Sequence, residues 1–195
     1  MGQEYIRAFI AAKLDTQSWT ALGSVRRNLY LSKIPGVRIL PLKNIHLTLK
    51  FLGSTNLNML LPIAASLQTI AKIVEPFIIT FDQFGVFPNL RQPKVLWLGP
   101  KNKSHHIEDL HHKIDDALHS LGIRQEHRKF SPHLTFARVR SENSSQEISA
   151  IKTAVEKLDI RLSDIRVTGI SLIRSELSPA GATYTQLHSL PLRKN

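Results

Sequence analysis

Within NIHLTLKFL, residues 44–52, polar and apolar side chains alternate strictly for six residues, which predicts a half-buried strand. Ile45, Leu47 and Leu49 fall on one face, His46 and Thr48 on the other. The run YIRAFIAAKL (5–14) reads as a buried strand, and as a first strand rather than a secretion signal because its apolar run is short and interrupted. A helix is expected from Ser18 to about Leu31, with Trp19, Leu22, Val25 and Leu29 on one face, ended by Pro35 and Gly36. Residues 56–74 read as a second helix with Pro62 in its first turns, and 77–87 as a strand or a bent pair stopping at Pro88. A polar turn (89–94) leads to a short strand (95–100).

The clearest amphipathic pattern spans 104–121, capped by Ser104, with Ile107, Leu110, Ile114, Leu118 and Leu121 on one stripe and Gly122 as the stop. HLTFARV (133–139) reads as a strand, 140–147 as a polar linker and 147–158 as a helix. Two closing strands, 164–177 and 182–192, are joined by the turn SPAG (178–181). No stretch approaches the roughly 18 apolar residues of a membrane span.

One four-residue word occurs twice: His-Leu-Thr-Leu at 46–49 and His-Leu-Thr-Phe at 133–136. In a strand, His46 and Thr48 share a face, as do His133 and Thr135, while the apolar residues between them enter the core. A single His-x-Thr triplet carries little information. Two copies with matching spacers, one in each half, point to two sides of one site. Two imidazoles in one cleft suit displacement at phosphorus: one takes a proton from the attacking group, the other gives one to the leaving oxygen. The threonine hydroxyls can donate to the non-bridging oxygens, and no metal is needed.

Charge strengthens this reading. The 195 residues hold 26 Lys and Arg against 15 Asp and Glu, a net charge of +11, which favours a polyanionic partner. The chain has no cysteine, so disulfides, thiolate nucleophiles and Cys-ligated zinc are excluded. A cytoplasmic location is the default expectation.

On the blocks RAFIAAKL, KNIHLTLKFLG, GVFPNLRQPKVLWLG, FSPHLTFARV and LIRSELSPAGATYTQL, the chain resembles the two-histidine (2H) phosphoesterase superfamily. Within it, the chain is most similar to the RNA 2′,3′-cyclic phosphodiesterases, historically named 2′-5′ RNA ligases. The resemblance implies an α+β fold over residues 1–195: a single domain of two intertwined lobes, two antiparallel sheets facing a central cleft with helices outside. It implies hydrolysis of an RNA 2′,3′-cyclic phosphate, or a nucleoside cyclic phosphate, to a 2′-phosphomonoester. No cofactor or metal, no membrane and no obligatory protein partner is implied, and a monomer suffices. Reverse 2′-5′ ligation is a secondary activity of that group. His46 matches the general acid, His133 the base, and Thr48 and Thr135 the phosphate-holding hydroxyls. Phe51 and Arg138, each five residues after its histidine, match a base-stacking aromatic and a phosphate-binding guanidinium.

That offset of five is odd, so strict alternation puts Phe51 and Arg138 on the face opposite their histidines unless the strand bulges first. Other readings remain open: a core Phe51, a solvated Arg138, a non-catalytic RNA-binding module, or a related 2H activity on ADP-ribose cyclic phosphate or 2′-5′ oligoadenylate. His105, His112 and His119 lie seven residues apart and read as a solvated helix face. The basic run at 124–130 reads as an RNA guide or a plain loop, and Lys43, Lys50 and Arg91 as further phosphate contacts at the cleft edges.

Overall fold

The computed structural model describes residues 4–102, 104–140, 142–157, 160–179 and 181–193. Among the described residues, nine strands and four α-helices follow in chain order: β1 (Tyr5–Leu14), α1 (Thr16–Leu31), β2 (Val37–Ile39), β3 (Leu47–Asn56), α2 (Leu60–Ala71), β4 (Phe77–Phe81), β5 (Gln83–Phe87), β6 (Val95–Gly99), α3 (His105–His119), β7 (Leu134–Val139), α4 (Ser145–Lys157), β8 (Leu162–Ser178) and β9 (Gly181–Pro191). All strand pairs are antiparallel, in the order β4-β8-β1-β3-β7-β6-β5, with β9 on β8 and β2 on β7. Among the described residues, the sheet divides into two wings joined in the ladder at Leu47 on β3 and Leu134 on β7. The α+β class expected from sequence is therefore present, with its described antiparallel strands joined in one large sheet.

The chain crosses between the wings. β2 leaves the first half to pair with β7, and β8 and β9 return to pair beside β1. The strand or bent pair expected at 77–87 is two strands, broken at Asp82. Its halves belong to opposite ends of the sheet, β4 on β8 and β5 on β6. Because the two ends of the sheet are one residue apart in the chain, the sheet must curl back on itself.

Local chemistry accounts for the helix ends. Asp15 caps α1, which begins at Thr16, two residues before the expected Ser18, the Asp15 Oδ1 accepting from the Ser18 amide at 2.8 Å. The Ser18 hydroxyl instead accepts from the Arg166 amide at 2.9 Å, tying α1 to β8. Ser144 and Glu147 form a reciprocal capping box that starts α4 at Ser145 rather than 147. Ser104 stands before α3 without a side-chain capping bond, and Gly122, at φ +80°, supplies the left-handed residue beyond its end. Ala180 of the SPAG turn, Ser141 of the polar linker and Leu158 at the expected end of the last helix lie outside the described residues.

Ile107, Leu110, Ile114 and Leu118 of α3 are fully buried in the main core with Leu47, Leu134 and Ile10, while Leu121 is only partly buried. The same helix face also carries His111 and Asp115, both buried, which an apolar stripe does not predict. His105, His112 and His119 are exposed, as a solvated face requires. A smaller cluster of Ile34, Leu96, Ala137 and Ile151 seats α4 on the second wing. Among the described residues no helix is long and apolar enough to cross a membrane.

Candidate active site

The two histidines sit one residue before their strands, flanking the Leu47–Leu134 pair that joins the wings. Continued one residue either way, this antiparallel register sets His46 opposite Thr135 and Thr48 opposite His133. His46 and His133 are then diagonal neighbours, which a ladder separates by about 7–8 Å. Leu47 and Leu134 are fully buried on the other face, so all four polar side chains share the cleft face.

Each imidazole is held in the same way. His46 Nδ1 lies 2.9 Å from the Asn44 carbonyl oxygen and His133 Nδ1 2.7 Å from the Ser131 carbonyl oxygen. A carbonyl can only accept, so Nδ1–H donates in both rings and Nε2 is left for chemistry. Aromatic rings wall both. His46 packs against Phe9 (centroids 4.7 Å apart) and edge-on to Tyr184 (5.0 Å). His133 stands edge-on to Phe87 (5.1 Å) and Trp97 (6.5 Å). Trp97 in turn needs bare backbone beside it: a Cβ on Gly85 or Gly99 would lie 2.6 or 2.8 Å from the indole ring. Burial, reinforced by positive charge on His133 and Arg138, pushes the pKa of His46 from 6.5 down to about 4, against the pull of its bond to Asn44. His46 is therefore neutral in the free protein at pH 7.

The parity conflict at Phe51 and Arg138 is resolved by a bulge in each strand. On β3, Thr48 pairs with Ala11 and Lys50 with Ile10, leaving Leu49 extra. On β7, Thr135 pairs with Trp97 and Ala137 with Leu96, leaving Phe136 extra. Each extra residue shifts the following side chains to the other face. Residues 47–52 and 134–139 accordingly share one burial sequence, with two consecutive buried residues after the threonine and an exposed residue next. That exposed residue is Phe51 in one copy and Arg138 in the other, both now on the cleft face. Phe51 is 68% exposed, which removes the core reading, and Arg138 is near enough to His46 for its charge to depress the imidazole.

Lys50 is not a phosphate contact. It is buried, paired with Asp115 of α3 and bonded to the Arg124 carbonyl at 2.9 Å. Burial pushes the Asp115 carboxyl up, but Lys50 and the Glu126 amide outweigh it and hold the group below its ordinary range. One turn earlier, His111 lies flat on Phe130 (4.0 Å) and bonds through Nδ1 to the carbonyl of the bulged Leu49 at 2.8 Å. This network fastens the basic loop 124–128 beside Phe51, where the two enclose a cavity of about 440 Å³. Sequence reading missed Phe9, Tyr184, Phe87 and Trp97, which come from four different strands, and the two carbonyl bonds, which have no side-chain signature.

A family model described as the 2′-5′ RNA ligase superfamily matches residues 15–179. The chain is 32% identical over 182 residues to an RNA 2′,3′-cyclic phosphodiesterase of Methanothermobacter thermautotrophicus, covering 93% of this chain and 96% of that one. It is 32% identical over 158 residues to an RNA 2′,3′-cyclic phosphodiesterase of Aquifex aeolicus, covering 78% and 80%. A crystal structure of a Thermus thermophilus protein superposes with a TM-score of 0.76 at 25% identity, covering 96% and 98%. That of E. coli LigT complexed with 3′-AMP gives 0.68 at 24%, covering 98% and 100%, a likeness of fold.

Proposed function

Because the chain belongs to the 2′-5′ RNA ligase superfamily, we propose that it opens the terminal 2′,3′-cyclic phosphate of RNA to a 2′-phosphomonoester by acid–base catalysis between His46 and His133. The observation that carries this reading is the matched pair of imidazoles, each with Nδ1 tied to a backbone carbonyl, beside a threonine on one cleft face. Relatives named RNA 2′,3′-cyclic phosphodiesterase, about 30% identical over most of their length, support the enzyme class.

In this mechanism water attacks phosphorus in line with O3′. His133 Nε2 takes the water proton as the P–O bond forms, and His46 Nε2 gives a proton to O3′ as the P–O3′ bond breaks. Thr48 and Thr135 donate to the non-bridging oxygens and Arg138 faces the same anion, with no metal taking part. His46 must gain its proton when the anionic substrate arrives, since it is neutral beforehand. Phe51 offers a face for the terminal base, a sequence-tolerant contact. With a 5′-hydroxyl in place of water, the same attack joins a 2′-5′ bond, His133 taking the hydroxyl proton and His46 protonating O3′; cleavage of that bond by the 3′-hydroxyl exchanges the two roles.

The test is incubation of a nucleoside 2′,3′-cyclic phosphate with the protein in excess EDTA. Turnover to the 2′-phosphate is expected. A 3′-phosphate product, or turnover only with added metal, contradicts the mechanism, and RNA binding without turnover identifies a binding module instead.

A further inference from the structure

Arg138 faces the histidines and also lines a concavity of about 840 Å³ on the second wing, together with Arg91, Lys94, Arg140 and Asn143. That volume is in the range that holds a nucleotide-sized ligand. The walls are built rather than loose. The Asn89 side-chain oxygen accepts from the amides of Arg91 and Gln92, at 3.0 and 3.1 Å, which folds the loop back on itself. The Lys94 amide donates to the Phe87 carbonyl at 2.8 Å, and the Val139 amide to the Lys94 carbonyl at 2.9 Å, stitching the loop to β5 and β7.

The charge balance of this groove is one-sided. Glu147 lies beside it, but its two oxygens are spent on Arg140 (2.8 Å) and the Ser144 amide (2.8 Å). Among the described residues, Arg91, Lys94 and Arg138 have no carboxylate within ion-pair distance. Three like charges in one concavity repel each other in the empty protein, and an anion relieves that repulsion. One phosphate between the histidines accounts for Arg138 and leaves Arg91 and Lys94 unexplained. We infer that the groove is a second phosphate site, which takes a backbone phosphodiester of the RNA strand whose cyclic end lies between the histidines. The inference rests on the RNA cyclic phosphodiesterase reading and adds that the enzyme grips more than the terminal nucleotide.

The experiment compares a nucleoside 2′,3′-cyclic phosphate with an RNA tetranucleotide ending in the same group, using wild type and the Arg91→Ala/Lys94→Ala variant. The expected result is an unchanged kcat/KM for the mononucleotide. For the tetranucleotide it should fall by about tenfold or more, the worth of a charge-assisted contact. The slope of log kcat/KM against log salt should become shallower by about 1.4 for the tetranucleotide, since two charges on a single strand contribute about 0.7 each. A Lys72→Ala/Lys113→Ala control, on exposed positions of the helical face, should leave that slope as in wild type. Equal losses on both substrates, no loss on either, or an equal change in the control would overturn the inference. If wild type turns over neither substrate, the functional reading fails separately. Anisotropy of a labelled tetranucleotide with a 2′,3′-diol end then gives the same three-way comparison for the groove alone.

Discussion

His46 loses its proton to the fold, and a phosphate in the cleft should give it back. The drop in pKa from 6.5 to about 4 corresponds to about 3 kcal/mol against the charged ring and leaves about one molecule in 10³ protonated at pH 7. A single negative charge about 4 Å from the ring, at the effective dielectric of a protein surface, contributes about 4 kcal/mol in the opposite sense. The anion alone is therefore large enough to cancel the depression. The assay is a proton NMR titration of the imidazole C2–H, assigned by the His46→Gln variant, without and with saturating inorganic phosphate. Without phosphate the midpoint should lie near pH 4, and phosphate should move it up towards the ordinary histidine value. Arg138→Ala should also raise it, by less than phosphate does, because burial is the larger cause.

The same titration fixes the sign of a stability effect. Above pH 6.5 both folded and unfolded chains keep His46 neutral, and the group has no effect on stability. Between 6.5 and about 4 the unfolded chain binds more protons, so stability falls with falling pH, by up to about 3 kcal/mol. Urea unfolding at pH 4.5 and 7 should therefore show a smaller pH dependence in His46→Gln than in wild type. In kinetics, the His46 titration seen in kcat/KM, which reports the free protein, should lie at lower pH than the one seen in kcat, which reports the complex. A midpoint at or above 6.5 in the free protein, or one that saturating phosphate leaves in place, would refute the reasoning.

Two further outcomes test other parts of the site. His46→Ala should lose at least about 10²-fold in turnover of a cyclic phosphate, and far less on an aryl phosphodiester whose leaving group needs no proton, whereas His133→Ala should lose activity on both; the reverse pattern would exchange the acid and base. Lys50→Met or Asp115→Leu alone should cost about 3–5 kcal/mol in urea unfolding, and the double variant little, because only the single changes strand a buried charge. If the double variant is as stable as wild type but binds base-bearing substrates with a raised KM and unchanged kcat, the pair positions the loop beside Phe51; unchanged KM would leave it a purely structural element.

Much of this fold was legible because its signals are local. The motif words, the α3 stripe and the closing hairpin all follow from spacing within a dozen residues. What escaped depends on partners distant in sequence. A bulge is defined by the strand opposite it, so Leu49 and Phe136 can be recognised as extra residues only once β1 and β6 are in register. The sequence still carried an indirect trace: Phe51 and Arg138 could serve the site only if parity failed twice at the same place. Lys50 looked like a cleft residue for the same reason, since without the bulge an offset of four keeps it on the face of His46. His111 and Asp115 interrupt an apolar stripe at a spacing of four, but nothing in α3 names their partners, the Leu49 carbonyl and Lys50.

The two lobes use one device and diverge at two positions. After the bulge, the buried residue is Lys50 in one strand and Ala137 in the other, and the exposed residue is Phe51 in one and Arg138 in the other. Ala137 shows that the bulge forms without an ion pair, so the cost of burying Lys50 and Asp115 is not needed to make the bend. What the pair adds is a tie to the Arg124 carbonyl and the Glu126 amide, which bring the basic loop against Phe51. Arg138 has no such support and opens onto the cationic groove instead. A symmetric pair of histidines can act on phosphorus from either side. The differences one and two residues beyond the bulge give the cleft a direction, with an aromatic wall suited to a base at one end and open charge suited to a phosphate backbone at the other.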